Sequence, residues 1–257
     1  MSLLQQIPST RPSGGPIPPV RMNIQGTDGI GKSTFGAGAD TPIFIQAEDG
    51  LSFIDVPRFP QANTWEELLE QIKALVHEEQ SYKTVVLDTT DAAAKLGEEY
   101  VCEKNGWSSA ADPKAGYGAF YVAEENAWVH LLSGLNVLHT RKGMNVILLS
   151  HVASKAYKDP ELEPYDRWEM RCNKKVNSLI KDWVDFNLFA NYETQLIKDG
   201  QKARRVSYGN RGLFTHFAAA YDAKSRLALP SKLEFSWNAF MEAYTAALAA
   251  NTNNEAA

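Results

Sequence analysis

The sequence predicts an α/β fold built on a mostly parallel sheet with helices on both faces, and three observations carry that expectation. Short apolar strands alternate with stretches of helical periodicity. The runs at 84–87 (TVVL) and 145–149 (NVILL) are continuously apolar, as strands buried on both faces are. The first strand, at 20–25, leads directly into a glycine-rich turn followed by a helix-compatible segment.

The remaining elements follow in order. Residues 42–46 (PIFIQ) form a second strand. Asn63 or Thr64 caps a helix in which Trp65, Leu68, Leu69, Ile72, Leu75 and Val76 recur at helical spacing, and Thr64 and Glu67 have the spacing of a capping box. A long helix is expected over about 120–141, with Trp128, Leu131, Leu132, Leu135 and Leu138 on or near one face. After Trp183 the pattern changes: 186–196 and 204–208 read as strands around the turn Lys198-Asp199-Gly200-Gln201, a hairpin that would extend the sheet with antiparallel strands. A final amphipathic helix is expected over 237–249, ahead of a low-complexity, disordered tail at 251–257. Residues 1–19, polar and rich in proline and glycine, read as a flexible arm, which leaves 20–250 as one core domain.

Composition sets the bounds. The chain has 257 residues, 44% apolar and 22% charged, enough for one well-buried domain with little left for a second. No apolar run approaches the ~18 residues of a membrane span, and the N-terminus lacks an apolar signal core, so a cytoplasmic protein is expected. Cys102 and Cys172 stand far apart without a histidine cluster and read as reduced thiols. A net charge of −5 argues against a protein that coats duplex DNA with its whole surface. Local basic strips remain: Lys198, Lys202, Arg204, Arg205 and Arg211 oppose only Asp199, whereas Arg167, Arg171, Lys174, Lys175 and Lys181 are mixed with Asp166, Glu169 and Asp182. Either strip could equally be a solvated face.

The chemistry is concentrated in Gly26-Thr27-Asp28-Gly29-Ile30-Gly31-Lys32-Ser33, which fits G-x-x-x-x-G-K-[ST] without a mismatch. Average residue frequencies would produce it in a chain this long about once in a hundred. Glycines let the backbone wrap so that successive N–H groups point at phosphate oxygens. Lys32 would reach the β- and γ-phosphates, Ser33 would ligate Mg²⁺, and Thr34 follows them at the start of the helix. ATP with magnesium is the expected ligand. Asp88 ends the strand at 84–87 as a magnesium-holding acid should.

Three further segments resemble the RecA-type ATPases. Ile43-Phe44-Ile45-Gln46-Ala47-Glu48-Asp49 resembles the family's second strand, which ends in a catalytic glutamate; the resemblance makes Glu48 the base that polarises the attacking water, ahead of Asp49. Val146-Ile147-Leu148-Leu149-Ser150-His151 resembles the strand whose terminal residue senses the γ-phosphate; His151 stands where bacterial RecA has glutamine. Lys224-Ser225-Arg226-Leu227-Ala228-Leu229-Pro230 is similar to the Lys-x-Lys-x-x-x-Pro segment that touches a neighbouring subunit's γ-phosphate, with Arg226 in place of the second lysine. These pieces occur in RecA order over about 20–235, and the chain is most similar to the small, core-only RecA-like ATPases of bacteriophages, some of which anneal single strands.

That resemblance implies a homo-oligomer, ring or filament, with ATP between subunits, single-stranded DNA as the partner and a single-strand-binding protein as a possible second one. It places DNA on loops at about 107–117 and 152–173. The second carries Lys155, Lys158, Arg167 and Arg171 among Tyr157, Tyr165 and Trp168, with Lys174 just beyond, an interleaving that suits phosphates and exposed bases; Arg204 and Arg205 are the other DNA candidates. Two other readings stay open. An ATP-switched assembly or loader module needs the same motifs without turnover, and a small-molecule kinase would want an arginine-rich lid, for which Lys224 and Arg226 come late.

Overall fold

The computed structural model describes residues 16–159, 163–199 and 202–254, with side chains left aside over 194–208 and 252–254. Among the described residues, nine strands order as β2 (Pro42–Gln46), β3 (Thr84–Asp88), β4 (Asn145–Tyr157), β1 (Arg21–Gly26), β6 (Phe186–Asp199), β7 (Lys202–Phe214) and β9 (Lys232–Glu234), with β5 (Tyr165–Met170) on β4 and β8 (Lys224–Ser225) on β6. The run β2-β3-β4-β1-β6 is parallel throughout. From β6 outward the pairing is antiparallel. This is the α/β core, a mostly parallel sheet flanked by helices with an antiparallel extension, that the sequence predicts.

Alternate residues of each central strand go to opposite faces, and both faces are covered. Ile43, Ile45, Val85, Leu87, Val146 and Leu148 pack with α2 (Trp65–His77), α4 (Ala119–Lys142) and α5 (Lys174–Trp183). Phe44, Val86, Ile147, Leu149, Met22 and Ile24 pack with α1 (Lys32–Ala37) and α6 (Trp237–Asn254). Two-sided burial is why these strands read as unbroken apolar runs. The first face centres on an edge-on pair of fully buried rings, Trp65 and Trp128, with centroids 5.5 Å apart.

The cap of α2 differs slightly from its expected form. Thr64 Oγ1 accepts from Glu67 N, as a capping box requires, but Glu67 returns its carboxylate to the N–H of Asn63, one residue before the cap. The hairpin at the sheet edge closes more tightly than expected: β6 and β7 stay paired as far as Asp199 and Lys202. The turn residues Gly200 and Gln201 lie outside the described residues. α6 runs on to Asn254, past the expected end at 249, through alanine- and asparagine-containing sequence with no glycine or proline to stop it. The expected tail therefore starts as helix, and 255–257 lie outside the described residues, as do 1–15 of the expected arm. At the arm's end, Tyr244 Oη of α6 donates to Pro18 O. Cys102 and Cys172 are buried free thiols, and burial pushes Cys172 up to about 12.

One element corrects the sequence reading, and a second is one it did not assign. The segment after Leu149, expected as a loop over 152–173, is a β-hairpin in which β4 continues to Tyr157 and pairs with β5 from Val152↔Met170 to Tyr157↔Tyr165. The basic group around 174–181 is the helix α5, capped by Asn173 Oδ1, which accepts from Lys175 N and Val176 N. Val176 and Ile180 bury one stripe while the lysines face outward.

Trp65→Ala should lower unfolding stability by about 3–5 kcal/mol, read from the urea midpoint. A loss below ~1 kcal/mol, the scale of a surface change, would contradict the placement of this ring at the centre of the first core.

Candidate phosphate site

The parallel strands finish at one edge of the sheet, and the site forms there. Gly26 pairs with His151, Gln46 with Asp88, and Asp88 with Leu149, so the loop after β1, the ends of β2 and β3 and the middle of β4 are brought side by side. The close approach of β6 explains Gly26, because a Cβ there would sit 2.7 Å from Ala190 O. Gly31 takes a φ of 104° at the mouth of α1, where a side chain would be strained and would also collide with the Arg211 guanidinium.

Lys32 is 5% exposed and folds back over its own loop, donating to Gly26 O at 3.2 Å and Thr27 O at 3.0 Å. Burial depresses its amine below the usual lysine range, against the pull of Asp28, Asp88, Asp91 and Glu48. Ser33 Oγ donates to Asp88 Oδ2 at 2.7 Å, joining the phosphate loop to the acid strand across the width of β4. Asp88 is 4% exposed; burial raises its carboxyl above the ordinary range, the Ser33 bond opposes that, and Glu48 adds to it.

Glu48 lies two residues beyond β2, accepts from Thr89 Oγ1 at 2.8 Å and is 3.9 Å from His151 Nδ1. Asp49 is exposed and accepts from Ser52 Oγ, away from that contact. His151 is gripped on both sides. Its Nδ1 lies 3.0 Å from Asp91 Oδ2, its Nε2 lies 3.2 Å from Asp28 Oδ1, and its backbone N–H donates to Asp91 Oδ1. Burial raises Asp91, but the hydrogen bonds from His151 outweigh it and leave the carboxyl below the ordinary range. Asp28 is lowered chiefly by its hydrogen bond from Arg171, at 2.7 Å.

Lys32, Ser33, Glu48, Asp88 and His151, all expected at this site, are thus brought together. Arg171, expected on the DNA path, is drawn onto the phosphate loop through Asp28, because the end of β5 is tied to β4 by the bond from Arg171 N to His151 O. Lys224 and Arg226 lie elsewhere. β8 pairs with the start of β6, and Arg226 contacts Asp185, which also holds Arg21 at the beginning of β1. Arg21 and Gly26 are separated by the length of β1, roughly 16 Å at ~3.3 Å per residue. Lys224 donates to Lys181 O. Neither side chain serves its own chain's phosphate loop. Lys155, Lys158, Arg167 and Lys174 line a separate cavity beside α5. Arg204 and Arg205 sit on β7, their side chains outside the described ones.

Two site residues escaped the sequence reading. Asp91, in the first turn of α3 (Thr90–Asn105), was signalled only by its place just after the strand-ending acid. Arg211 was grouped with the basic strip of the hairpin; it lies against the loop, with Nη1 donating to Ile30 O at 2.9 Å. A cavity of about 150 Å³ opens beside it, bordered by Gly31, Thr34, Arg211, Phe235 and Asn238, next to the first turn of α1.

Among the described residues no three His, Cys, Asp or Glu side chains gather into a metal cage. Ser33 and Asp88 instead offer hard oxygen atoms of the kind magnesium takes together with phosphates and water. Lys32, held only by carbonyl oxygens of its own loop, is placed to exchange them for phosphate oxygens.

Residues 18–227 match the family model described as an AAA domain. A Bacillus subtilis (strain 168) protein described as an SPbeta prophage-derived uncharacterized protein, YorG, is 26% identical over 136 residues, or 51% of this chain. That alignment spans only 41% of the relative's length. The crystal structure of the RadB recombinase superposes over 88% of this chain and 92% of its own, at 12% identity and a TM-score of 0.47. No described helix is long and apolar enough to cross a membrane.

A raised Asp88 means that the fold holds the acidic proton more tightly than the unfolded chain does. Ionising it therefore costs stability, and the cost grows as pH rises from the ordinary carboxylate range through Asp88's raised value. Asp88→Asn should raise the thermal midpoint of the nucleotide-free protein at neutral pH, with the gain shrinking toward acid. A lower midpoint at neutral pH would contradict this account of the site.

Proposed function

We propose, for a chain that belongs to the AAA-domain family of P-loop ATPases, a function as a magnesium-dependent, single-stranded-DNA-linked ATPase that completes its catalytic sites between subunits. The observation that carries the nucleotide part is the joining of the phosphate loop to the acid strand through Ser33 and Asp88, with Glu48 and His151 beside them. Asp28, Glu48, Asp88 and Asp91 outnumber the cations Lys32, Arg171 and Arg211 around the loop. A polyphosphate in such surroundings needs a divalent cation with it.

Each side chain then has a role. Lys32 binds the β- and γ-phosphates in place of Gly26 O and Thr27 O. Glu48, steadied by Thr89, orients the attacking water and accepts its proton. His151, fixed between Asp91 and Asp28, reads the terminal phosphate. Magnesium, when bound through Ser33 and Asp88, supplies positive charge that offsets the charge of the phosphates.

The oligomeric part of the reading is supported by where Lys224 and Arg226 stand, at the end of the sheet away from their own loop. In this reading they complete a neighbour's site in a ring or filament, an arginine being well matched to phosphate charge that develops in the transition state. The DNA part is supported by the cations Lys155, Lys158, Arg167 and Lys174, gathered at one cavity beside aromatic rings. In this reading the activity is the annealing of single strands, as in some of the phage ATPases that the chain resembles.

Phosphate release measured with and without single-stranded DNA tests the reading: stimulation supports it. Transfer of phosphate to a small acceptor would contradict it, as would a retained oligomer with no turnover. Lys32→Ala should abolish most ATP affinity or turnover. Glu48→Gln should keep binding and lose hydrolysis by about two orders of magnitude or more; near-normal turnover would move the role to another acid.

Subunit mixing tests the interface. Arg226→Ala should bind ATP and fail to hydrolyse it. Mixed with Lys32→Ala, it should recover part of the activity, because some interfaces then join an intact loop to an intact Arg226. A mixture as inactive as its components, with subunit exchange demonstrated, would contradict action between chains.

A further inference from the structure

A cavity of about 790 Å³ lies where the β4–β5 hairpin meets α5. That is within the ~300–1,000 Å³ range of pockets that enclose a small molecule. Its cations are Lys155 from β4, Lys158 just after the end of β4, Arg167 from β5, and Lys174 and Lys181 from α5. Glu169 and Asp222 are the carboxylates that oppose them.

The arrangement is costly for an unliganded protein. Lys155 and Arg167 are direct cross-strand partners, and like charges in that relation destabilise a hairpin. Lys155 finds a carbonyl, Met170 O, at 3.0 Å. Arg167 is 6% exposed, yet its ion pair with Asp222 is long, at 3.6 Å, and its Nε has no partner. Asp222 is divided, since Lys181 Nζ holds its other oxygen at 2.7 Å. A buried guanidinium with so little acceptor around it is incompletely compensated. An anion among the neighbouring lysines of the cavity would offset that charge through space.

The aromatic side chains narrow the choice of anion. Arg167 is held flat between Tyr157 and Phe217, its guanidinium carbon 4.8 and 5.0 Å from their ring centroids. Phe217 is 62% exposed. An exposed ring at the border of a cationic cavity is a stacking platform for a base, and base stacking with flanking phosphate contacts is how single strands are held. A base kept in a duplex stack could not reach such a platform.

Resting on the single-strand reading above, we infer that this cavity seats one nucleotide unit of the strand, with phosphates among Lys158, Lys174 and Lys181 and the base on Phe217. Lys181, Phe217 and the lysine face of α5 are parts of the seat that the hairpin sequence alone does not contain. Gln25, at the cavity, donates through its amide to Asp222 O and directly precedes Gly26, so the seat adjoins the strand that carries the phosphate loop.

The test is fluorescence anisotropy of a labelled short dT strand, and of the same strand carrying abasic sites, with the full chain over a salt series. Phe217→Ala and the double variant Lys158→Ala/Lys174→Ala alter exposed side chains, and circular dichroism checks that each is folded. Phe217→Ala should weaken the intact strand by roughly 5- to 100-fold and the abasic strand little. The double variant should weaken both strands and flatten the log–log salt slope by about 1.4, the loss of two phosphate contacts. Wild-type affinity in both variants would overturn the seat while leaving the single-strand reading standing. A wild-type protein that binds neither strand at low salt, with or without ATP, would overturn both. Loss of a poly-glutamate peptide by the variants, with strand binding intact, would assign the cavity to an acidic protein partner and overturn the seat.

Discussion

The organisation of the molecule depends on the interposition of β4 between the strand that carries the phosphate loop and the strand that carries Asp88. With β1 and β3 each parallel to β4, their ends fall level, and the loop that wraps back from Gly26 brings Ser33 Oγ to within 2.7 Å of Asp88 Oδ2. The same alignment carries Glu48 in from β2 and His151 from β4 itself. Asp88 ends β3, Glu48 follows β2 by two residues, and His151 sits where the pairing of β4 with β1 ends, so the rigid sheet sets the spacing of these three. The arrangement is also strained electrostatically. A buried acid with a raised carboxyl and a buried lysine with a lowered amine both await a charged ligand, and their desolvation is the cost of a site prepared in advance.

Beneath that edge, a buried polar chain ties the layers together. Asn187 on β6 bonds Asn23 on β1, Asn23 accepts from Ser150 on β4, and Ser150 meets Thr90 at the start of α3. These residues are fully buried, and nearly every member has a partner; Asn187 Nδ2 is the exception. A network of this kind adds little net stability, but it penalises any slip of one strand against the next, because a shifted register would strand several polar groups. It lies next to Gln25 and His151, where a one-residue error would dismantle the site. The structure thus uses apolar strands for cohesion and polar side chains for register.

How much of this was legible in the sequence follows from the range of the interactions. The phosphate loop, the central strands and the cap of α2 are written in consecutive residues or at fixed short spacings, and they stand where those patterns place them. α5 was obscured because its lysines dominate the composition of 174–183, although Val176, Leu179, Ile180 and Trp183 follow a helical stripe. The β4–β5 hairpin was read as a loop because charged and aromatic residues interrupt its alternation. Arg211 reaches Ile30 only through the pairing of β7 with β6 and of β6 with β1, information no local pattern holds. The positions of Lys224 and Arg226 likewise depend on β8 joining the start of β6.

We propose that Ser33 and Asp88 form one divalent-cation position tied to the phosphate loop. The most direct measurement is electron paramagnetic resonance of Mn²⁺ titrated into the protein with ATP, for the wild type, Ser33→Ala and Asp88→Asn. Both substitutions should weaken the protein-dependent Mn²⁺ signal, by about 10- to 100-fold in affinity, the loss expected when a group that orients a metal is removed. An unchanged Mn²⁺ affinity in both variants would contradict the account, since the bond that joins the loop to the acid strand would then have no part in holding the metal.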